Sequence, residues 1–174
     1  MNKKIATVIS RIFDPFVTLG AVFIILFVGS PKFIPAFLLM IGLPLVLFIV
    51  AWKTKFVSNW DVSKRRERPK ILWTLLGIEI IASGMLKTTV TFPVLLVLAG
   101  FTLITHFWKM SGHTVAASLF TGYVIIRFGW GWWPVLLLVP LVGWARVIRK
   151  DHTVLQVTAG ALYSWILLVI ARPF

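Results

Sequence analysis

The sequence contains no cysteine and very few acidic residues. The absence of cysteine from all 174 residues excludes disulfides, thiol catalysis and cysteine-ligated zinc or iron–sulfur sites. Five Asp and Glu residues stand against 18 Lys and Arg residues, which gives a formal net charge of +13. So few carboxylates leave little from which to build a magnesium site, because such sites need several acidic ligands.

Charged side chains of both signs are scarce. They make up 13% of the chain, against 59% hydrophobic residues, whereas soluble domains are about a quarter charged and about half apolar. A soluble fold of this size would have too few polar side chains to cover its surface. We therefore predict an integral membrane protein in a lipid bilayer. In that setting the positive charge indicates cytoplasmic loops, anionic headgroups or a phosphate-bearing substrate, and not a nucleic-acid partner.

Apolar runs separated by Gly, Pro and charged residues predict an all-α, polytopic transmembrane helical bundle. Only helices satisfy their own backbone economically in lipid, and we expect six or seven spans in a single membrane domain over residues 1–174. The first run is short for a span of about 20 residues and could instead be a re-entrant or interfacial segment. The candidate spans are Phe16–Gly29, Phe33–Trp52, Ile71–Lys87, Phe92–Trp108, His113–Phe128, Pro134–Ile148 and Thr153–Ala171. A short turn is expected at Gly129–Trp133.

The basic residues are distributed unevenly between the two membrane faces. If all seven spans cross, 14 of the 18 Lys and Arg residues fall on one face. That face carries the N-terminus, the long polar loop Lys53–Lys70 and the junctions around residues 109–113 and 146–152. The positive-inside rule places it in the cytoplasm.

The first polar cluster on that face is Asp61–Pro69, in which Lys64, Arg65 and Arg68 could bind phosphate. Arginine offers a planar fork that suits phosphate, and lysine adds a point charge. The alternative is a solvated basic loop that follows the positive-inside rule. Pro69 marks the start of a helix in either case.

The second cluster contains Ser111, Gly112 and His113. Glycine allows close approach of the backbone to a ligand, and a helix N-terminus offers N–H groups to an anion. His113 there could act as a general acid. Alternatively, Ser111 is a helix N-cap and His113 is interfacial.

The third cluster runs from Arg146 to Gln156. His152 and Gln156 are four residues apart and share a helix face, so Gln156 can orient the imidazole ring of His152. The alternative is a basic helix end with an interfacial histidine.

Together the three clusters resemble the type 2 phosphatidic acid phosphatase superfamily. That family carries Lys-x6-Arg-Pro, then Pro-Ser-Gly-His, then Ser-Arg-x5-His-x3-Asp. Here Arg68-Pro69, Ser111-Gly112-His113 and Arg146-x5-His152 match these motifs in order. The resemblance covers a phosphatase-like core over residues 52–161.

The chain departs from the family pattern at four positions. Asp61 stands at the first lysine, Gln156 at the closing aspartate, and Met110 and Ala145 before the second and third motifs. A neutral Gln156 can fix the tautomer of a histidine but stabilises its cation less than a carboxylate does.

The resemblance implies a lipid phosphatase that needs no metal and no cofactor. If the roles of the family's residues are transferred to this chain, Arg68 and Arg146 bind the phosphate oxygens and Lys64 and Arg65 lie near them. Backbone N–H groups of Ser111 and Gly112 complete this phosphate cradle. His152 attacks phosphorus, His113 protonates the leaving oxygen, and Gln156 holds His152. The substrate would be a membrane lipid phosphate, either phosphatidate-like or a prenyl phosphate or diphosphate.

Two other functional classes remain as alternatives. One is a non-catalytic relative that binds phospholipid and keeps the phosphate cradle. The other is a membrane prenyltransferase, which the Asn59-Trp60-Asp61 sequence invites but the five acidic residues argue against. The sequence does not specify an oligomeric state.

Overall fold

The computed structural model describes residues 2–171, and within this range all regular structure is helical. The predicted all-α fold is therefore confirmed. The α-helices are α1 Asn2–Ile12, α2 Pro15–Phe27, α3 Phe33–Phe37, α4 Leu43–Lys53, α5 Arg68–Met85, α6 Phe92–Phe107, α7 Gly112–Phe128, α8 Leu138–Ile148 and α9 Val154–Ala171. A π-helical turn at Leu38–Gly42 joins α3 to α4, and 3₁₀ helices at Arg65–Glu67 and Trp130–Leu137 precede α5 and α8.

Several helical stretches have the length and apolar character of membrane spans. Within residues 2–171, four stretches are long and apolar enough to cross a bilayer, and α6 is a shorter apolar helix of 16 residues. The four are Asn2–Phe27, Phe33–Lys53, Trp130–Ile148 and Val154–Ala171. The chain is a helical integral membrane protein, while the count of six or seven spans, the sidedness and the single domain stay predictions.

Local chemistry explains where three helices begin. Pro69 lies in the first turn of α5, where its missing N–H costs nothing. Ser111 is the N-cap of α7, and its Oγ accepts a hydrogen bond from the Thr114 N–H at 3.5 Å. Before α2, Asp14 Oδ1 accepts from the Phe16 N–H at 3.0 Å.

One local expectation is wrong. The segment after α7 is not a short turn at Gly129–Trp133, because Trp130–Leu137 forms a 3₁₀ helix that leads into α8. Gly129 alone makes the break, with φ at +87°, a conformation that suits glycine. The chain then resumes helical geometry at once.

The described chain divides into two compact units. We call residues 2–25 and 110–171 the terminal unit and residues 26–109 the middle unit. In the terminal unit α7 packs against α8 and α9, and α1 packs against α8. In the middle unit α5 packs against α6.

Small residues let α7 and α9 approach closely. A Cβ atom on Gly160 would lie 2.6 Å from Thr114 Oγ1 and 2.9 Å from the Ser111 carbonyl oxygen. Two serine hydroxyls donate across the same interface, Ser118 to the Ala161 carbonyl at 2.7 Å and Ser164 to the Val115 carbonyl at 3.0 Å. Small and hydroxylated residues are the usual means by which membrane helices pack. This contact fixes the start of α7 against α9.

Candidate active site

Arg146 lies at the centre of a polar cluster in the terminal unit. It occupies the last turn of α8, and its side chain is 1% exposed. Its Nη1 lies 2.6 Å from Ser10 Oγ, and its Nη2 lies 3.1 Å from Asp151 Oδ2. A buried guanidinium is costly unless it is paired and hydrogen-bonded, and these contacts hold it in place.

His113 lies beside this guanidinium. It occupies the first turn of α7 and is 5% exposed. Its Nε2 is 3.4 Å from Arg146 Nη1, and the ring also forms a hydrogen bond with the backbone of Ser10. A guanidinium can only donate, so this arrangement suits a neutral imidazole whose Nε2 accepts.

The protonation pattern of His152 follows from its contact with Gln156. His152 Nδ1 is 3.1 Å from Gln156 Oε1, and the Thr153 N–H donates to the same oxygen at 3.2 Å. Because a backbone N–H can only donate, it fixes the amide with its oxygen towards both groups. His152 Nδ1 must then carry the proton, and Nε2 keeps its lone pair. This is the tautomer that an attacking histidine requires.

Gln156 is held by the start of α9 as well as by His152. Its backbone N–H donates to Thr153 Oγ1 at 3.3 Å while its side chain accepts from the Thr153 N–H. This reciprocal pair is a capping box. The contact predicted from the four-residue spacing is present, and the cap makes it rigid.

Ser111 makes hydrogen bonds within the protein through both its backbone and its side chain. The Ser111 N–H donates to the Gln156 carbonyl at 3.3 Å, and the Ser111 side chain caps α7. Ser111 is therefore the N-cap of α7, and its part in phosphate binding stays a prediction. Whether Gly112 binds phosphate through its backbone stays a prediction.

Asp151 is a charged member of the cluster that the sequence analysis did not single out. Its Oδ2 lies 3.1 Å from Arg146 Nη2 and 2.9 Å from Arg149 Nε. It therefore balances part of the positive charge between two arginines. Ser10 was also missed, because it is 136 residues from Arg146 in sequence and no local motif marks it.

The first-motif residues belong to the middle unit. Arg68 is 7% exposed, and its Nε donates to the Val62 carbonyl at 2.9 Å. Lys64 pairs with Glu67 at 3.5 Å, and the Arg65 guanidinium donates to the His106 carbonyl. The participation of Arg68, Lys64 and Arg65 in a phosphate site stays a prediction.

An apolar groove lies between α8 and α9 in the terminal unit. Its volume is about 400 Å³, and Thr114 of α7 contributes to its lining. The lining includes Val147, which follows Arg146 in sequence, and Val154, which is two residues after His152. Along the same two helices the lining continues to Val139 and Leu162. Eight residues of helix correspond to about 12 Å, so the lining residues extend over about that length of α8 and α9.

The comparisons with known proteins give one partial similarity. Over 56 residues, or 32% of this chain, the sequence is 43% identical to lipid A 4'-phosphatase of Helicobacter pylori (strain J99 / ATCC 700824). The matched stretch spans 28% of that protein's length. No family model matches the chain. No solved structure matches it.

Proposed function

We propose that the chain is a metal-independent phosphatase of membrane lipids that works through a phosphohistidine intermediate. The observation that carries the proposal is the pairing of the buried His152 with Gln156, which leaves His152 Nε2 unprotonated. The backbone nitrogen of His152 also lies 3.4 Å from the carbonyl oxygen of the buried Arg146. A neutral imidazole next to fixed cations is suited to attack on a phosphate ester.

The first step transfers the phosphoryl group to the protein. His152 Nε2 forms a bond to phosphorus, the bond from phosphorus to the lipid oxygen breaks, and that oxygen takes a proton from His113. Arg146 neutralises charge on the phosphoryl oxygens. By the family resemblance, Arg68 is the second clamp and Lys64 and Arg65 add positive charge.

His113 can serve as the acid only after a proton has been added at Nε2. Arg146 Nη1, at 3.4 Å, opposes a second positive charge there. A phosphate that binds beside the two groups supplies negative charge, which favours protonation of His113 Nε2. In the second step water attacks phosphorus, the bond to His152 Nε2 breaks, His113 takes the proton, and inorganic phosphate leaves.

The groove between α8 and α9 supports a lipid substrate. Its volume of about 400 Å³ lies within the usual range for ligand pockets. Apolar lining suits a hydrocarbon chain, and the lining residues Val147 and Val154 are close in sequence to Arg146 and His152. The partial similarity to lipid A 4'-phosphatase also supports a lipid phosphate as the class of substrate.

A non-catalytic phospholipid-binding protein is the second candidate. The Asp151 carboxylate already pairs with Arg146, the Ser111 N–H is already used, and a neutral amide replaces the family's carboxylate at Gln156. Each of these would be compatible with binding without turnover. Measured phosphate release separates the two candidates.

The test is phosphate release by the full chain in detergent with EDTA present. The panel contains phosphatidate, a prenyl phosphate, a prenyl diphosphate and lipid A, with glycerol phosphate as the substrate without a chain. We expect release from at least one lipid, little from glycerol phosphate, and none from His152→Ala. Release that EDTA abolishes would contradict the metal-independent mechanism, and binding without release would favour the second candidate.

A further inference from the structure

Helix α1 has three distinct faces. The bases Lys3, Lys4 and Arg11 form one of them, and all three are exposed. A second face carries large apolar side chains that are about half exposed, namely Ile5 at 47%, Val8 at 57% and Ile12 at 56%. Bases beside exposed apolar residues are typical of a helix that lies in the membrane interface.

The third face of α1 is buried and narrow. It consists of Ala6 at 0% exposure and Ser10 at 1%, four residues apart, and the helix packs on α8. Alanine is a natural residue for close packing between helices. A buried serine at the same kind of position needs a polar partner, because burial of a hydroxyl without one is costly.

Ser10 meets two of the candidate catalytic residues. Its Oγ lies 2.6 Å from Arg146 Nη1, so the hydroxyl accepts and the guanidinium donates. Its backbone hydrogen-bonds to His113, which lies 3.4 Å from the same guanidinium nitrogen. One residue therefore contacts both the phosphate-binding arginine and the proposed acid.

We propose that Ser10 is a positioning residue of the phosphate site, which helix α1 supplies. The hydroxyl fixes one arm of the Arg146 guanidinium while Asp151 fixes the other, and the backbone of Ser10 orients the His113 ring. This inference rests on the proposed function, because it assigns Ser10 to the same site.

The physical consequence concerns phosphate binding first. Without the hydroxyl, Arg146 Nη1 loses an acceptor at 2.6 Å and the guanidinium can rotate towards Asp151. Loss of one hydrogen bond to a charged group weakens an interaction by about tenfold. The backbone contact to His113 is retained in an alanine variant, so the chemical step should change less than binding does.

The test measures inorganic phosphate binding to the full chain in detergent by calorimetry, with turnover of the lipid substrate as a second measurement. Ser10→Ala is expected to raise the Kd for phosphate about tenfold and the KM by a similar factor. The value of kcat should change little, whereas the thermal midpoint should fall, because the buried guanidinium loses an acceptor. Ser10→Thr, which keeps a hydroxyl, should restore the wild-type Kd.

Thr7→Ala is the matched control. It removes a hydroxyl from the same helix, where Thr7 Oγ1 donates only locally to the Lys3 carbonyl at 2.9 Å. It should leave the Kd for phosphate unchanged. A lower thermal midpoint in Ser10→Ala with an unchanged Kd would assign Ser10 to packing alone and overturn the proposal.

The two readouts separate this proposal from the proposed function. Phosphate binding that depends on Ser10 and Arg146, without turnover, would refute the phosphatase and keep Ser10 in the site. Turnover that Ser10→Ala leaves intact in both KM and kcat would refute only the role of Ser10. A wild-type chain that does not bind phosphate would overturn both.

Discussion

Gln156 is the residue on which the chemistry of the site depends most. Its Oε1 accepts from the Thr153 N–H at 3.2 Å and lies 3.1 Å from His152 Nδ1. The backbone contact decides which way the amide faces, and the amide then decides which nitrogen of His152 carries the proton. A carboxylate in this position would fix the same tautomer and would also stabilise the imidazolium.

Two substitutions of Gln156 distinguish its control of the His152 tautomer from the effect of a negative charge at this position. Gln156→Leu removes the acceptor, and we expect kcat to fall about 10- to 100-fold, the range for loss of a residue that orients another. Gln156→Glu keeps the length and the acceptor and adds a negative charge, which should raise kcat. Steady-state kinetics with the lipid substrate measure both effects, and equal activity of Gln156→Leu and wild type would contradict this role.

At the scale of helices, the close contact between α9 and the start of α7 positions the candidate site. Gly160 faces Thr114 and the backbone of Ser111, so this glycine sets the distance between the two helices. The His152–Gln156 pair lies at the start of α9, and His113 lies at the start of α7. A change in this distance would move the two histidines relative to each other.

Gly160→Ala should therefore reduce activity as well as stability. The added Cβ would lie 2.9 Å from the Ser111 carbonyl oxygen, which is backbone and cannot rotate away. We expect a cost of about 1–3 kcal/mol in unfolding free energy and about a tenfold loss of kcat, since small misplacements of reacting groups are costly. Gly77→Ala is the control, because nothing lies within 4 Å of its added Cβ.

The loop before α5 contains an acid-sensitive contact. Glu67 Oε2 accepts from the Ser58 N–H at 2.8 Å and from Ser58 Oγ at 2.9 Å, and Oε1 lies 3.5 Å from Lys64 Nζ. These contacts, the Ser58 backbone hydrogen bond above all, lower the pKa of Glu67 from its usual value of 4.5. A lowered pKa means that the contact stabilises the loop above the unfolded-state pKa and is lost as pH falls through the folded-state pKa.

Hydrogen–deuterium exchange of the segment 55–68 tests this acid sensitivity. After correction for intrinsic exchange rates, protection of the Ser58 amide should be constant above pH about 5 and should decline as Glu67 is protonated. Glu67→Gln has no group to titrate there, so its protection should not change over the same pH range. An equal decline in wild type and Glu67→Gln would contradict the assignment to Glu67.

Helix starts could be predicted from the sequence because their signals are local. Pro69 and Ser111 mark the starts of α5 and α7 as expected. The 3₁₀ helix at Trp130–Leu137 was not predicted, because glycine and a run of tryptophans also fit a turn at a membrane interface.

The composition of the candidate site could be predicted only where a motif marks it. His113, Arg146 and His152 lie in short, ordered motifs, and the spacing of Gln156 predicted its contact with His152. Ser10 could not be found in this way, since its partner is 136 residues distant. Only the packing of α1 on α8 brings the two together.

At the scale of the whole molecule, the uneven distribution of bases predicts the orientation in the membrane. Fourteen of the 18 Lys and Arg residues fall on the face of the long polar loop in a seven-span topology. By the positive-inside rule, such an excess predicts that this face is cytoplasmic. A substrate in the cytoplasmic leaflet would follow from this orientation.

Single cysteines test the orientation cleanly, because the chain has none of its own. Arg66→Cys lies in the polar loop. Thr89→Cys lies between α5 and α6, on the opposite face in a seven-span topology, and both positions are exposed. A membrane-impermeant maleimide should label Thr89→Cys in intact cells and Arg66→Cys only after lysis. The reverse pattern would show that the protein is inverted.

The central claim is that His152 forms a covalent bond to the phosphoryl group. The direct measurement is a rapid quench of the full chain with a lipid substrate labelled with ³²P in its phosphate, followed by denaturing electrophoresis. We predict a protein label that is stable to alkali and labile to acid, present in wild type and absent from His152→Ala. Turnover without such a label, or an equal label in His152→Ala, would contradict the account.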